Sequence, residues 1–353
     1  MHSMNRLLAA SGAALLLATM LATPAIAAEN DRGGSNANTP SSGAFSFGVI
    51  GDVPYGAAEI QAFPSYIQDI NAHKELTFVG HVGDIKDGSS LCTDEYFASI
   101  KAAFDTFTLP LVYTPGDNEW TDCHRANNGS YNPLERLAAV RELFFPKAGT
   151  TLGKPMKVDS QAAIGLPENV NFTSHGIAIT AVNIPGSDNS MLPWSGLGLT
   201  APTPAQTAEV QNRTQADIKE LEKTFSEARE NHDRAVVVMT QADMFDPTVG
   251  TPSQANFGAY RPIVQALIEQ SNAFGGPVYL INGDSHVFNL DHPLATGSSW
   301  LSFYGQTTAA ANLTRVTVDG SSNAQDWLKV TATKKGSPTP LTFERIPFTH
   351  PAS

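Results

Sequence analysis

Four apolar segments of this sequence, each about as long as one strand, end in the dipeptide Gly-Asp. These dipeptides are Gly51-Asp52, Gly83-Asp84, Gly116-Asp117 and Gly283-Asp284. Segments with the residue spacing of an amphipathic helix separate the first three, so the chain alternates strand and helix. Such alternation predicts right-handed βαβ units with parallel strands. Because the carboxyl ends of parallel strands meet at one edge of a sheet, we expect the four aspartates to lie close together.

The rest of the chain predicts how these units are completed. Thr93 and Asn132 are expected to begin two of the helices as N-caps, and a long charged helix is expected from Pro204 to about Asn231. From Trp300 onward the apolar pattern predicts strands only, at Trp300–Tyr304, Leu313–Val318, Trp327–Thr333 and Leu341–Arg345. The predicted fold class is therefore α/β, with a mixed core that antiparallel strands complete.

The first 27 residues have the pattern of a bacterial-type secretory signal peptide. Arg6 supplies a positive start, residues 7–21 are almost wholly apolar, and Ala25-Ile26-Ala27 is a small-x-small cleavage site. Residues 28–43 are rich in Gly, Ser, Asn and Pro, which predicts a disordered leader. Residues 44–348 are then expected to form one domain. The sequence predicts a periplasmic or secreted protein, and no later segment is apolar enough to predict a membrane anchor.

Charge and cysteine content exclude several classes of protein. A formal net charge of −12 argues against a protein that binds the nucleic-acid backbone. Two cysteines are too few for a disulfide-scaffold protein or for a zinc site built from cysteines. Cys92 and Cys123 follow the second and third strands, on loops that we expect to be neighbours. In an oxidising compartment such a pair is expected to form a disulfide, and two distant free thiols are the alternative.

Several aspartates at one edge of a sheet have a chemical consequence. Carboxylates brought together repel one another unless a cation lies between them. A single Gly-Asp after a strand is an ordinary turn, and that is the alternative for each pair taken alone. Four such pairs at equivalent positions, with Ser285 and His286 following the last, indicate a metal cluster.

These motifs, together with Gln241 after a fifth apolar strand, resemble the five ordered motifs of the calcineurin-like metallophosphoesterases. The matching segments are Gly51-Asp52, Gly83-Asp84, Gly116-Asp117-Asn118-Glu119, Gln241 and Gly283-Asp284-Ser285-His286. The resemblance extends from about Phe45 to Arg345. It implies a four-layer α-β-β-α sandwich with mixed sheets and a two-metal site at the strand ends. It also implies hydrolysis of phosphate esters by a metal-bound hydroxide.

Carried over residue by residue, the resemblance implies two metal sites that share one ligand. The ligands implied are Asp52, Asp84 and His286 for one ion, and Asp84, Asp117, Gln241 and Asp284 for the other. The departures from the family pattern are Pro54, Gln241 and Asp284 in place of histidines, Asp117 in place of a ligand Asn, and Asn118 in place of a histidine that assists the leaving group. Oxygen ligands suit magnesium, calcium and manganese, whereas imidazole suits zinc, iron and manganese. We therefore expect two divalent ions, with manganese, magnesium or calcium favoured over zinc.

The substitution at Asn118 affects catalysis, because an amide cannot act as a general acid. His124, on a loop at the same edge, is a candidate for that role, and Arg125 is a candidate for holding a phosphate oxygen. Lys86 could also touch substrate, and ordinary exposed side chains are the alternative for His124 and Lys86. The predicted function is an exported, metal-dependent phosphoesterase that acts on small-molecule phosphate monoesters or diesters. The alternative is a catalytically degenerate protein of this fold with a metal-binding or ligand-binding role.

Overall fold

The structure, a computed structural model, describes residues 45–349 of the chain. These residues all lie in the compact unit Pro40–Ser353. The predicted signal peptide (residues 1–27) and leader (residues 28–43) lie outside the described residues. In the described range, no helix has both the length and the apolar character that crossing a membrane requires.

Two mixed sheets form the centre of the structure. In chain order the strands are β1 Phe45–Ile50, β2 Leu76–His81, β3 Pro110–Tyr113, β4 Leu152–Gly153, β5 Asp159–Gln161, β6 Leu166–Ser174, β7 Ile177–Ala181, β8 Ala235–Met239, β9 Val278–Asn282, β10 Asn289–Asp291, β11 Leu313–Thr317, β12 Asp326–Ala332 and β13 Leu341–Pro347. The first sheet has the order β13-β12-β1-β2-β3-β4, and the second has the order β10-β11-β9-β8-β7-β6-β5. Parallel strands β1, β2 and β3 form the middle of the first sheet, and parallel strands β7, β8, β9 and β11 form the middle of the second.

Helices cover the outer face of each sheet. The main helices are Gly56–Ala72, Asp94–Phe104, Pro133–Phe144, Pro204–Glu230 and Arg261–Phe274, with short ones at Gln254–Phe257 and Ser299–Phe303. The predicted N-caps are confirmed, because Thr93 accepts a hydrogen bond from the backbone N–H of Tyr96 and Asn132 accepts one from Leu134. The predicted long helix is also confirmed.

Three separate apolar clusters show how the layers stack. One fills the space between the two sheets, one lies between the first sheet and its helices, and one lies between the second sheet and its helices. Successive side chains of strand β8 point to opposite faces of the sheet. Val237 faces the space between the sheets, whereas Val236 and Val238 face the helices. The order of layers is helix, sheet, sheet, helix, which confirms the predicted four-layer α-β-β-α sandwich with mixed sheets.

The prediction of a strand at Trp300–Tyr304 is wrong, because this segment belongs to the helix Ser299–Phe303. The Ser298 hydroxyl accepts a hydrogen bond from the backbone N–H of Trp300 and begins the helix. The Trp300 ring packs against Phe257 in the apolar cluster behind the second sheet. Aromatic residues favour strands on average, but here the cap and the packing determine the conformation.

The last strands are not one antiparallel segment. Strand β11 pairs in parallel with β9 in the second sheet, whereas β12 pairs antiparallel with β1 in the first. The turn at Asp319-Gly320 therefore connects the two sheets instead of closing a hairpin. This connection passes along the edge at which the Gly-Asp pairs lie, because the Gly320 backbone packs against Asp52.

Candidate metal centre

The Gly-Asp pairs end their strands with unusual backbone conformations. Asp52, Asp84 and Asp284 have positive φ values of 52°, 56° and 74°, and His286 has φ 62°. Residues with a side chain rarely adopt this region, and each costs on the order of 1–2 kcal/mol of backbone strain. Surrounding contacts must therefore hold these residues in place, as is common at functional sites.

In two of the pairs, Gly116-Asp117 and Gly283-Asp284, the glycine is needed because a neighbouring aspartate packs directly on it. A Cβ on Gly116 would lie 2.0 Å from Oδ1 of Asp84, and a Cβ on Gly283 would lie 2.1 Å from Oδ2 of Asp52. Both distances are far below contact distance, so only glycine leaves room for the carboxylates. At Gly51 and Gly83 a Cβ would instead lie 2.5 Å from Val82 Cγ2 and 2.6 Å from Gln241 Cβ, so all four glycines allow close packing but only two of them make room for a carboxylate.

Two groups of side chains could each hold a metal ion. In the first group, Asp52, Asp84 and His286 place one ligand atom each within 4.8 Å of the others. In the second, Asp84, Asp117 and Asp284 do the same. The His286 Nε2 atom lies 3.3 Å from Oδ1 of Asp52. The two groups share Asp84, so five side chains from four strand ends form one continuous cluster.

The charge of this cluster is largely uncompensated. In the described part of the chain, the only ion pair that involves one of its four carboxylates is that between Asp52 and His286. Burial, together with the charges of Asp117, Glu119 and other nearby carboxylates, raises the pKa of Asp84 well above its usual value. Burial is also the main cause that raises the pKa of Asp52, against the opposing effect of His286.

The donor set of the cluster suits a hard divalent cation. A buried carboxylate is costly unless a cation or a proton neutralises it, and here one imidazole faces four carboxylates. Within residues 45–349 no N–H or O–H group donates to a further buried oxygen, Oε2 of Glu119, whose side chain interacts with that of Asp84. Bound cations would remove the repulsion that the raised pKa values record. Oxygen donors dominate both groups, which is the preference of magnesium, calcium and manganese.

Gln241 reaches the cluster, but its amide presents nitrogen and not oxygen to it. Its Nε2 atom donates to Oδ2 of Asp84 at 3.2 Å and to Oδ1 of Asp117 at 3.1 Å. Its Oε1 atom accepts a hydrogen bond from the backbone N–H of Gly186. The Gly186 donor fixes the amide orientation, because a backbone N–H needs an oxygen acceptor. The oxygen proposed as a metal ligand therefore already has a protein partner.

Asn118 and Tyr55 also converge on Asp84. The backbone N–H of Asn118 donates to Oδ1 at 3.0 Å, and its side-chain amide donates to Oδ2 at 2.8 Å. The Tyr55 hydroxyl donates to the same Oδ2 at 2.9 Å and accepts from Asn118 Nδ2 at 2.8 Å. Asn118 therefore contacts a cluster residue, and the Tyr55 hydroxyl lies at the centre of the site.

A left-handed turn borders the second group. Four consecutive residues with side chains, from Ser187 to Ser190, have φ between 52° and 68°. The Ser187 hydroxyl lies 2.9 Å from Oδ2 of Asp117 and 2.8 Å from Oδ1 of Asp122. No glycine in this stretch signals the conformation, so neither the turn nor the role of Ser187 is evident from the sequence.

His124 and Arg125 lie on the loop that follows Asp117. The Nδ1 atom of His124 accepts a hydrogen bond from Gly196 N–H, and burial, with the Arg125 charge, lowers the pKa of His124 to about 4. The imidazole is thus neutral at pH 7. Arg125 pairs with Asp122 at 2.6 Å, and its Nη1 atom lies 3.1 Å from the position that a Gly88 Cβ would occupy.

The predicted disulfide is confirmed. Cys92 and Cys123 are bonded, with a Cα–Cα distance of 5.8 Å, and both are fully buried. The bond joins the loop after β2 to the loop after β3, which are the loops that carry Asp84 and Asp117. It therefore fixes the relative position of two strand ends at the candidate metal centre.

Comparisons with known proteins give no close relative. No family model matches the sequence, and no curated protein matches it. Solved structures with a related course of the chain include GAP50, the anchor in the inner membrane complex of Plasmodium, at 10% identity and a TM-score of 0.45; the match covers 87% of this chain and 90% of that one. Another is a 5′-nucleotidase precursor from Thermus thermophilus, at 9% identity and a TM-score of 0.44, covering 86% of this chain and 54% of that one. This chain thus spans about half the length of the second protein, and neither similarity is close enough to identify an activity.

The raised carboxyl pKa values make the stability of the metal-free protein depend on pH. The pKa of Asp84 lies well above 3.8 and that of Asp122 is raised to about 8, chiefly by burial. Between the unfolded pKa of 3.8 and the raised folded pKa, the folded chain keeps protons that the unfolded chain has lost. The free energy of unfolding therefore falls as pH rises through this interval. The raised pKa of His286 acts with the same sign. His81 and His124, whose pKa is lowered from 6.5 to about 4, act with the opposite sign but only below about pH 6.5.

We therefore expect the melting temperature of protein stripped of metal by chelation to fall between about pH 6.5 and pH 8. Added Mn²⁺ should raise the melting temperature more at pH 8 than at pH 6.5, because the carboxylates that it neutralises are then ionised. Differential scanning calorimetry at constant ionic strength measures both effects. A metal-free melting temperature that rises across this range, with a Mn²⁺ effect independent of pH, would contradict the assignment of the cluster.

Proposed function

We propose that this protein is an exported, metal-dependent phosphoesterase. The observation that supports the proposal is the pair of side-chain groups that share Asp84 at the carboxyl ends of the central strands. Two cations held by groups that share a ligand would stabilise the attacking and leaving oxygens of a phosphoryl displacement. The sequence motifs and the layer order of the fold agree with this function.

The proposed metal ligands are those that the sequence indicates, except that Gln241 is not a ligand in the observed orientation of its amide. Asp52, Asp84 and His286 would hold one ion, and Asp84, Asp117 and Asp284 would hold the other. Gln241 would contribute to the second site only if its oxygen left Gly186. The donor set favours manganese, magnesium or calcium over zinc.

The chain's own residues have distinct tasks in this proposal. Divalent ions, when bound, polarise a phosphoryl oxygen and lower the pKa of a coordinated water. Arg125 holds a phosphate oxygen, since its guanidinium is partly exposed and its Nη1 atom lies on the same side of Gly88 as the Asn118 side-chain oxygen. Asn118 keeps the carboxylate plane of Asp84 in position. His124, neutral at pH 7, serves as a hydrogen-bond donor through Nε2 and not as an imidazolium acid.

The cluster also indicates a substrate preference. The four carboxylates offset the charge of two divalent ions, so the loaded site has no excess positive charge to bind the second negative charge of a phosphate monoester, a charge that a diester lacks. We expect kcat/KM for an aryl diester to exceed that for the matched aryl monoester by about ten-fold or more. A panel of both esters, assayed with Mn²⁺, Mg²⁺, Ca²⁺ and Zn²⁺ in turn, tests the proposal. A preference for the monoester would contradict the charge argument, and no turnover of any ester would contradict the proposed activity.

One observation favours a second candidate function, that of a metal-binding or ligand-binding protein without catalysis. A carboxylate offers about four acceptor positions. Asp84 accepts four hydrogen bonds. The backbone N–H and the side-chain amide of Asn118 donate two of them, and the side chains of Tyr55 and Gln241 donate one each. These donors occupy the acceptor positions with which Asp84 would bridge two ions, so the arrangement fits a single ion or another ligand better than a two-ion catalytic site. Metal binding in the absence of any ester turnover would support this candidate.

Export is a separate part of the proposal. The apolar run in residues 7–21 and the site Ala25-Ile26-Ala27 motivate it, and the disulfide is compatible with an oxidising compartment. Mass spectrometry of the soluble protein from its native host should find an N-terminus near Ala28. An intact Met1 or Met4 on the soluble protein would refute export by this signal.

A further inference from the structure

Lys86 occupies an unusual position for a lysine. Its side chain is fully buried, with 0% of its surface exposed, although lysine almost always reaches solvent. The Nζ atom donates to the carbonyl oxygen of Asp87 at 2.8 Å, to that of Asn118 at 3.0 Å and to Oδ1 of Asn128 at 2.7 Å. All three ammonium donors are therefore used, and all three acceptors are uncharged. Lys86 is thus neither an exposed lysine nor free to contact substrate.

Asn118 connects Lys86 to the candidate metal centre. On one side, Asn118 donates from its backbone to Oδ1 of Asp84 and from its amide to Oδ2, so it holds both oxygens of that carboxylate. On the other side, its carbonyl oxygen accepts from Lys86. Asp84 and Lys86 lie two residues apart on the loop after β2. Asp84 accepts hydrogen bonds from Asn118, on the loop after β3, and Lys86 donates one to it.

The disulfide supports the same carbonyl group. The Sγ atoms of Cys92 and Cys123 lie 3.5 Å and 3.6 Å from the carbonyl oxygen of Asn118. The disulfide and the buried ammonium group of Lys86 thus both contact the carbonyl oxygen of Asn118 and hold its backbone in place. This arrangement fixes the direction in which its N–H and amide point at Asp84.

We propose that Lys86 is a positioning residue of the metal centre, which acts through Asn118 on the orientation of the shared ligand Asp84. The inference rests on the proposed function only in requiring that Asp84 binds a metal ion; it does not require turnover. Replacing a residue that orients a metal ligand through hydrogen bonds typically lowers metal affinity by about 10- to 100-fold.

The sign of the effect separates positioning from simple electrostatics. Lys86 is a positive charge close to a cation site, so its removal alone would strengthen metal binding. Loss of the hydrogen bond to Asn118 would instead release the Asp84 carboxylate and weaken metal binding. The positioning role therefore predicts weaker binding in spite of the lost charge.

The test compares Lys86→Met with the matched control Tyr96→Phe in the full chain. Methionine has a similar length and no donor. Tyr96 donates from its hydroxyl to the carbonyl oxygen of Ile85 at 2.8 Å, so the control removes a hydrogen bond from the same loop without touching Asn118. Isothermal titration calorimetry with Mn²⁺ gives the affinities, and the visible absorption of bound Co²⁺ reports the coordination geometry.

We expect Lys86→Met to bind Mn²⁺ about ten-fold or more weakly and to change the Co²⁺ spectrum, while Tyr96→Phe leaves both at wild-type values. Unchanged or tighter binding by Lys86→Met would overturn the inference while leaving the proposed function intact. A wild-type protein that binds no metal would overturn both. If Lys86→Met does not fold, Lys86→Gln is the second variant: its neutral amide has two N–H donors but is one bond shorter than lysine, too short to keep all three hydrogen bonds. It should bind Mn²⁺ more weakly than wild type, and wild-type affinity would overturn the inference.

Discussion

Asp84→Ala is expected to abolish binding of both metal ions, lowering the affinity for Mn²⁺ by more than about a hundred-fold at each site. Asp84 belongs to both groups of ligand atoms, so the replacement of no other ligand should affect both sites equally. The metal-free variant should remain folded, because one of four mutually repelling carboxylates is removed. Calorimetric titration with Mn²⁺, together with circular dichroism, measures these effects.

Two matched variants show whether this loss is specific to the shared ligand. Asp117→Ala removes a member of the second group only, so one binding event should persist. Asp188→Asn changes a buried carboxyl that accepts a hydrogen bond from Ala259 and belongs to neither group, so both events should persist. Two undiminished binding events in Asp84→Ala would show that the ions bind elsewhere.

The double variant Cys92→Ala/Cys123→Ala is expected to lose about 3–4 kcal/mol of unfolding free energy. The disulfide closes a loop between residues 31 apart in sequence, and opening it increases the entropy of the unfolded chain. Alanine is preferred to serine because both positions are fully buried and a hydroxyl there would need a partner. Urea unfolding with and without reductant gives the comparison. Reductant should destabilise the wild-type protein and leave the double variant unchanged, and a loss below about 1 kcal/mol would show that the bond adds little to the stability of the fold.

The strand ends could be predicted from the sequence because the signal is local. A Gly-Asp pair after an apolar run specifies both the turn and the residue type that the turn presents. Alternation of strand and helix then brings the pairs to one edge of each sheet. Asp52, Asp84, Asp117 and Asp284 therefore meet as expected, and His286 joins them two residues after the last pair.

Other features depend on contacts between distant residues and leave no local signal. The left-handed turn from Ser187 to Ser190 contains no glycine, and partners far along the chain, such as Arg213 and Thr121, hold its side chains. The orientation of the Gln241 amide depends on Gly186, which is 55 residues away in sequence. The family resemblance implies an oxygen ligand at Gln241, and only the fold shows that this oxygen is already engaged.

The burial of Lys86 is a similar case. A lysine two residues after a strand end is usually exposed, and nothing in the adjacent sequence indicates otherwise. Its burial requires that the loops after β2 and β3 pack against each other, and the Cys92–Cys123 bond and the Asn128 side chain join them there. The segment Trp300–Tyr304 shows the same limit for secondary structure, because its helix depends on a cap at Ser298 and on packing against Phe257.

The central claim is that the carboxylate cluster is a metal centre, and calorimetric titration of chelator-treated wild-type protein tests it most directly. At about pH 7.5, Mn²⁺, Mg²⁺ or Ca²⁺ should bind in two events, with about two ions per chain. Zn²⁺ usually binds a protein site more tightly than Mn²⁺ does, and we expect this difference in affinity to be smaller or reversed here. Tight binding of Zn²⁺ alone would contradict the oxygen-rich donor set. The absence of heat from any of the four ions, with no shift in melting temperature, would contradict the metal centre itself.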